Sequence, residues 1–161
     1  MSKARGWLSF ILACHEEQTL IITEAVRKDM YRTQLEIERL YATVTSGAIR
    51  YDDVPGGGAG DDDKLADVID QVNELRAAQE ERCKAAYEKL QKIRAVEWLV
   101  HGLPEPGRRT LIAMYYPRRT MRAAAEICGV SERELGRRRD EAVEKLYTAC
   151  EKAGIVKTAK N

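Results

Sequence analysis

The sequence predicts an all-α protein: a long antiparallel helical hairpin followed by a C-terminal three-helix helix-turn-helix domain. Three observations predict it. Charged residues make up 33% of the 161-residue chain and aromatics only 6%, which suits a water-facing helical protein better than a β-sandwich. Apolar residues recur at steps of three and four over two long stretches, the spacing of a helix–helix seam. Beyond Gly102 and Pro104 the periods shorten, and a small-residue segment leads through Gly129, Val130 and Ser131 into an arginine-rich one. The expected organisation is an N-terminal segment over 1–18 and a hairpin over 19–102 with a Gly/Asp-rich loop at 46–63. A helix-turn-helix domain over 103–153 and a frayed tail over 154–161 follow.

The first long helix is expected from about residue 19 to 44. Val26, Met30, Thr33, Ile37, Leu40 and Val44 form its seam, with Arg27, Lys28, Glu36, Glu38 and Arg39 on the solvated face. Thr45, Ser46 and Gly47 end the pattern. Pro55, Gly56, Gly57, Gly58 and Gly60 cannot hold a helix. A phosphate-binding loop would need a preceding strand and a closing Gly-Lys-Ser/Thr, and the aspartates at 61–63 would repel phosphate. Those aspartates also lack the alternating ligand spacing of an EF-hand. They suit the positive N-terminus of the next helix.

That second helix is expected over about 64–100. Leu65, Val68, Val72, Leu75, Cys83, Ala86, Leu90, Ile93, Val96 and Val100 make its stripe. Two helices bury little core, so the hairpin is expected to self-associate as a homodimer or higher oligomer. The alternative is a monomer whose hairpin folds back on the C-terminal domain.

Three shorter helices are expected over about 106–116, 120–128 and 131–153. The last two fit a helix-turn-helix for steric reasons. Steeply crossing helices need a small residue where they touch, and Ala125 supplies it. The turn needs positive φ, and Gly129 allows it. Val130 plugs the corner, Leu135 turns inward, and Ser131 can N-cap the second helix with Glu134 at the capping-box offset. Arg138 falls where such helices usually place an apolar residue, so either its stem lies along the core with its head in solvent or the helix is rotated slightly and the outward set shifts by one residue.

In a major groove, the outward residues of the second helix would be Ser131, Glu132, Arg133, Gly136, Arg137 and Asp140. Arg133 and Arg137 could donate bidentate bonds to guanine, and Glu132 could accept from cytosine. Arg108, Arg109, Arg118, Arg119, Arg122, Arg138 and Arg139 suit phosphate contacts, which position without specifying sequence. The net charge of +1 speaks against a nucleic-acid binder until it is divided along the chain. Residues 1–103 hold 14 Lys+Arg and 18 Asp+Glu, net −4; residues 104–161 hold 13 and 8, net +5. The basic charge lies in the half with the candidate reading helix.

Other chemistry is not indicated. Cys14, Cys83, Cys128 and Cys150 make no CxxC pair and read as free thiols. His15 and His101 are isolated and read as surface or interface residues. No Ser/His/Asp or Cys/His arrangement appears, so no enzyme, metal or cofactor is expected. The apolar run at 7–14 is too short for a membrane span or signal peptide, so a cytoplasmic location and no membrane partner are expected.

Leu103 and Pro104, the stretch Arg108, Arg109, Thr110, Leu111 and Ile112, then Met114, Tyr115, Ala124, Ala125, Glu126 and the turn into Glu132 and Arg133 carry a family likeness. This region resembles the region-4-type helix-turn-helix of sigma factors. The layout over roughly 20–150 is similar to phage and prophage regulators of the ArpU and RinA type, including Asp53, Val54, Pro55 and Gly56 in the hairpin loop and the charged start at Asp63 and Lys64. Met114 departs from the arginine common before the tyrosine. Ala124 and Cys128 replace larger aliphatics, and Arg138 replaces an apolar residue. With no promoter-melting region, the resemblance implies an activator or accessory regulator in a bacterial host. The leading expectation is a sequence-specific regulator binding double-stranded DNA. The alternatives are a packaging subunit like a phage small terminase, and a protein-interaction module that binds, for instance, host RNA polymerase.

Overall fold

The computed structural model describes residues 3–47 and 60–156, with side chains over 6–45 and 63–156. It is all-helical among these residues: α1 (Lys3–Gly47), α2 (Gly60–His101), α3 (Gly107–Tyr115), α4 (Met121–Cys128) and α5 (Glu132–Lys152). Of the loop expected over 46–63, residues 48–59, with most of the glycine run and the family likeness at 53–56, lie outside the described residues. The aspartates at 61–63, expected in the loop just before a helix from about 64, fall instead in the first turn of α2, which begins at Gly60. No helix among the described residues is long and apolar enough to cross a membrane.

The chain divides into two compact units, Met1–Leu20 with Lys89–Asn161, and Ile21–Glu88. These divisions differ from the expected ones at 18/19 and 102/103. In the Ile21–Glu88 unit, Ile37 of α1 is buried with Val68 and Val72 of α2, and Leu40, Val44 and Leu75 pack against them. Further from the loop, Asp29 receives both its bonds from Arg82 Nε, at 2.9 and 3.0 Å. Two expected seam residues stand at its edge: Met30 is 52% exposed and Leu65 40%. At ~100° per residue they lie about 60° around their helices from Thr33 and Val68, and about 20° from Ile37 and Val72.

The other unit corrects the expectation for the N-terminus. Residues 3–18 are helical, not a separate segment, with a non-helical break at Cys14 (φ −131°, ψ 16°). Leu8, Ile11, Leu12 and His15 are all buried there. Their spacing is i, i+3, i+4, i+7, one face of a helix. His15 is thus a core residue rather than a surface one. Its ring lies 4.3 Å from that of Tyr116. Burial pushes the Tyr116 phenol well above its usual pKa, and its buried hydroxyl has no partner among the described residues.

Helices α3, α4 and α5 share a core of Ala113, Met114, Ala124, Ala125 and Leu135. The start of α3 lies close to α5. A Cβ on Gly107 would stand 3.1 Å from Ala142 Cβ, so glycine there permits the approach. The tail is also a correction. Gly154, at φ +69°, donates to the Glu151 carbonyl, and Ile155 donates to the Cys150 carbonyl. This double closure caps α5, and Val156 beyond it is buried. Residues 157–161 lie outside the described residues.

Candidate nucleic-acid interface

The turn between α4 and α5 is built from three local rules. Gly129 takes the left-handed conformation (φ 69°, ψ 35°). Its N–H donates to the Glu126 carbonyl at 3.2 Å, and the Val130 N–H donates to the Ala125 carbonyl at 3.1 Å. This is the paired bonding that ends a helix at a glycine, and Val130 packs against the core that holds Ala125. Ser131 then caps α5, its hydroxyl accepting from the Glu134 N–H at 3.2 Å. Leu135, fully buried, fixes the rotation of α5.

With that rotation, Ser131, Glu132, Arg133, Arg137 and Asp140 are exposed and Gly136 is partly so. Their electrostatic states differ. Among the described residues Arg133 makes no hydrogen bond or ion pair. Arg137 is held by both oxygens of Glu134, at 3.0 and 2.8 Å, and by Glu141. Asp140 is occupied by Arg139, at 2.9 and 2.7 Å.

Glu134 is the hub of this surface. The Arg137 and Arg138 hydrogen bonds hold its carboxyl well below the usual range, at about 2. It therefore stays ionised and offsets two arginines. A carboxyl with a depressed folded-state pKa stabilises fully above its ordinary value and loses that contribution as pH falls toward the depressed one. The start of α5 is accordingly expected to loosen between about pH 4.5 and 2, and Glu134→Gln should remove that part of the acid transition. Amide exchange across 131–139 measured against pH would read it.

The candidate phosphate-contacting residues divide similarly. Arg138 lies half-buried, Nε on Glu134 at 2.8 Å, lining a cleft with Pro106, Thr110 and Cys128. Arg109 donates to the Ile127 carbonyl at 3.0 Å, closing the C-terminal end of α4. Arg119 donates to the Ala113 and Pro117 carbonyls, at 3.0 and 3.3 Å, and Arg118 to the Ala13 carbonyl at 3.4 Å. Arg108 pairs with Glu105 and Arg122 with Glu126. Most of these arginines thus also brace the fold, which their spacing in the sequence does not announce. A guanidinium has five donors, so one bond to a carbonyl leaves charge and donors for another acceptor.

The four cysteines are free, and burial pushes the Cys150 thiol up to about 11. No group of three or more His, Cys, Asp and Glu among the described residues is placed to hold a metal. No family model, curated protein or solved structure matches this chain.

Proposed function

We propose that this chain is a sequence-specific, non-catalytic DNA-binding regulator of transcription. In this reading the long helices form a hairpin for assembly, and α3, α4 and α5 form a helix-turn-helix domain that reads the major groove with the start of α5. The observation that carries it is the exposed N-terminal face of α5. It holds an uncommitted Arg133, and a glycine-closed, serine-capped turn fixes its direction. The net +5 of residues 104–161 supports it, because affinity for DNA rests largely on phosphate neutralisation. The resemblance to phage sigma-region-4-like activators supports it in kind.

Selection of bound sequences from a random duplex pool tests the proposal. An enriched motif is the expected result, with affinity falling steeply as salt rises. No enrichment, and no duplex binding at low salt, would overturn it.

Gly136 offers a second test on the same face. Nothing lies within 4 Å of where its Cβ would be. Gly136→Ala should therefore raise stability, by about 1 kcal/mol from helix propensity alone. On a DNA-facing helix the added methyl should weaken binding to the selected site. Higher stability with unchanged affinity would place Gly136 off the interface.

A further inference from the structure

The Ile21–Glu88 unit has too little core for its length. Among its described residues only Ile37, Val68 and Val72 are buried apolar side chains. Yet it exposes others: Tyr41 and Leu65 at 40%, Ile69 at 42%, Ile21 at 50%, Met30 at 52%, Tyr87 at 59% and Tyr31 at 66%.

Five of these seven share one side of the helix pair, and Ile21 and Tyr31 do not. At ~100° per residue, Met30 and Tyr41 lie about 60–80° around α1 from the seam residue Thr33. Leu65, Ile69, Cys83 and Tyr87 lie about 60–100° around α2 from the seam residue Val68, in the same rotational sense. The contacts of Ile37 with Val68 and Val72, and of Asp29 with Arg82, set the two helices antiparallel in this unit. Equal rotations in one sense then emerge on one side of an antiparallel pair. The unit therefore has a second apolar face. Tyr41, Leu65 and Ile69 form a patch near the loop, and Met30, Cys83 and Tyr87 form a patch at the far end.

On α2, charges occupy the middle of that face. Arg76 and Glu80 sit between the two patches, symmetrically about position 78. A two-fold axis across the face at that position exchanges them. Among the described residues Arg76 and Glu80 make no hydrogen bond or ion pair.

We infer that this face docks on the same face of a second copy of the chain, antiparallel, forming a four-helix bundle around a two-fold axis at position 78 of α2. The loop-end patch of one copy covers the far-end patch of the other, and each Arg76 meets the other copy's Glu80. Residues 65–87 span ~33 Å, and two helices side by side ~20 Å. That footprint approaches the ~800 Å² per partner of a stable interface. A self-complementary face is what a two-fold dimer requires. This inference deepens the assembly half of the proposed reading, and its test uses no DNA, so the two can fail separately.

The test is the mass of the full chain in solution by light scattering. Wild type should be a dimer, twice the 18.2 kDa chain. Arg76→Glu and Glu80→Arg should each weaken the dimer by at least about tenfold, because the axis repeats every changed pair. The double variant R76E/E80R should restore it. Circular dichroism should show unchanged helix content throughout. A wild-type monomer, a dimer indifferent to both single changes, or a double variant no better than the singles would each overturn the inference. The last result would be expected of a dimer with both loops at one end, where Arg76 does not meet Glu80.

Discussion

Leu135→Ala should cost about 2–5 kcal/mol of unfolding free energy in the unit that holds α3, α4 and α5. Leu135 is fully buried and packs in one cluster with Ala113, Met114, Ala124 and Ala125. Three of those four are alanines, which have no side-chain length with which to collapse into a vacated space. Met114, and Met121 packed against the cluster, can fill part of it, so the cost should fall within that range rather than at its top. The same side chain fixes which face of α5 points outward. Chemical denaturation followed by circular dichroism reads the stability, and amide exchange along 121–150 reads the loss of register. The neighbouring change Gly136→Ala is expected to shift stability the other way. Opposite signs at adjacent positions would establish the inward and outward faces of α5. A loss under about 1 kcal/mol at Leu135 would show that this core does not hold the helix.

The sequence carried some of these features more clearly than others, for identifiable reasons. The turn at 129–131 was legible because its demands are local: positive φ at Gly129, a cap at Ser131 and an inward Leu135 each depend on a few neighbouring residues. The ends of α3, α4 and α5 were legible for the same reason. The helix over 3–18 is less legible although Leu8, Ile11, Leu12 and His15 carry the period, because one of the four is a histidine and the apolar run 7–14 is short. The approach of Gly107 to Ala142 is long-range, and no spacing in the sequence announces it. Met30 and Leu65 fit a heptad by count, yet they stand at the edge of the seam. A sequence pattern gives the period of a stripe but not its width. Nor could spacing show which arginines are occupied. Seven residues expected to touch phosphate look alike as letters, while Arg109 and Arg119 are committed to carbonyls and Arg138 to Glu134.

That last distinction decides which arginine should matter most for reading bases. Arg133 and Arg137 are both exposed on the outward face, four residues apart. To meet a guanine, Arg137 must first leave Glu134 and Glu141, three hydrogen bonds to carboxylates. Arg133 gives up only water. Under the proposed reading, Arg133→Ala should therefore weaken binding to the selected site by about 1–3 kcal/mol, the range of one bidentate base contact. It should weaken binding to random duplex far less. Arg137→Ala should have the smaller specific effect, because Arg137 is already held by two carboxylates; its loss also unmasks Glu134, which should weaken binding to both duplexes alike. Glu134→Gln makes the complementary case. It removes a negative charge and frees Arg137 and Arg138, so non-specific affinity should rise and the salt slope steepen by about 1–2, as added phosphate contacts require. Binding isotherms on specific and random duplexes across a salt series separate these effects. Equal losses on both duplexes for Arg133→Ala would mean that it touches phosphate rather than a base. No loss on either would remove the start of α5 from the interface, and with it the proposed mode of recognition.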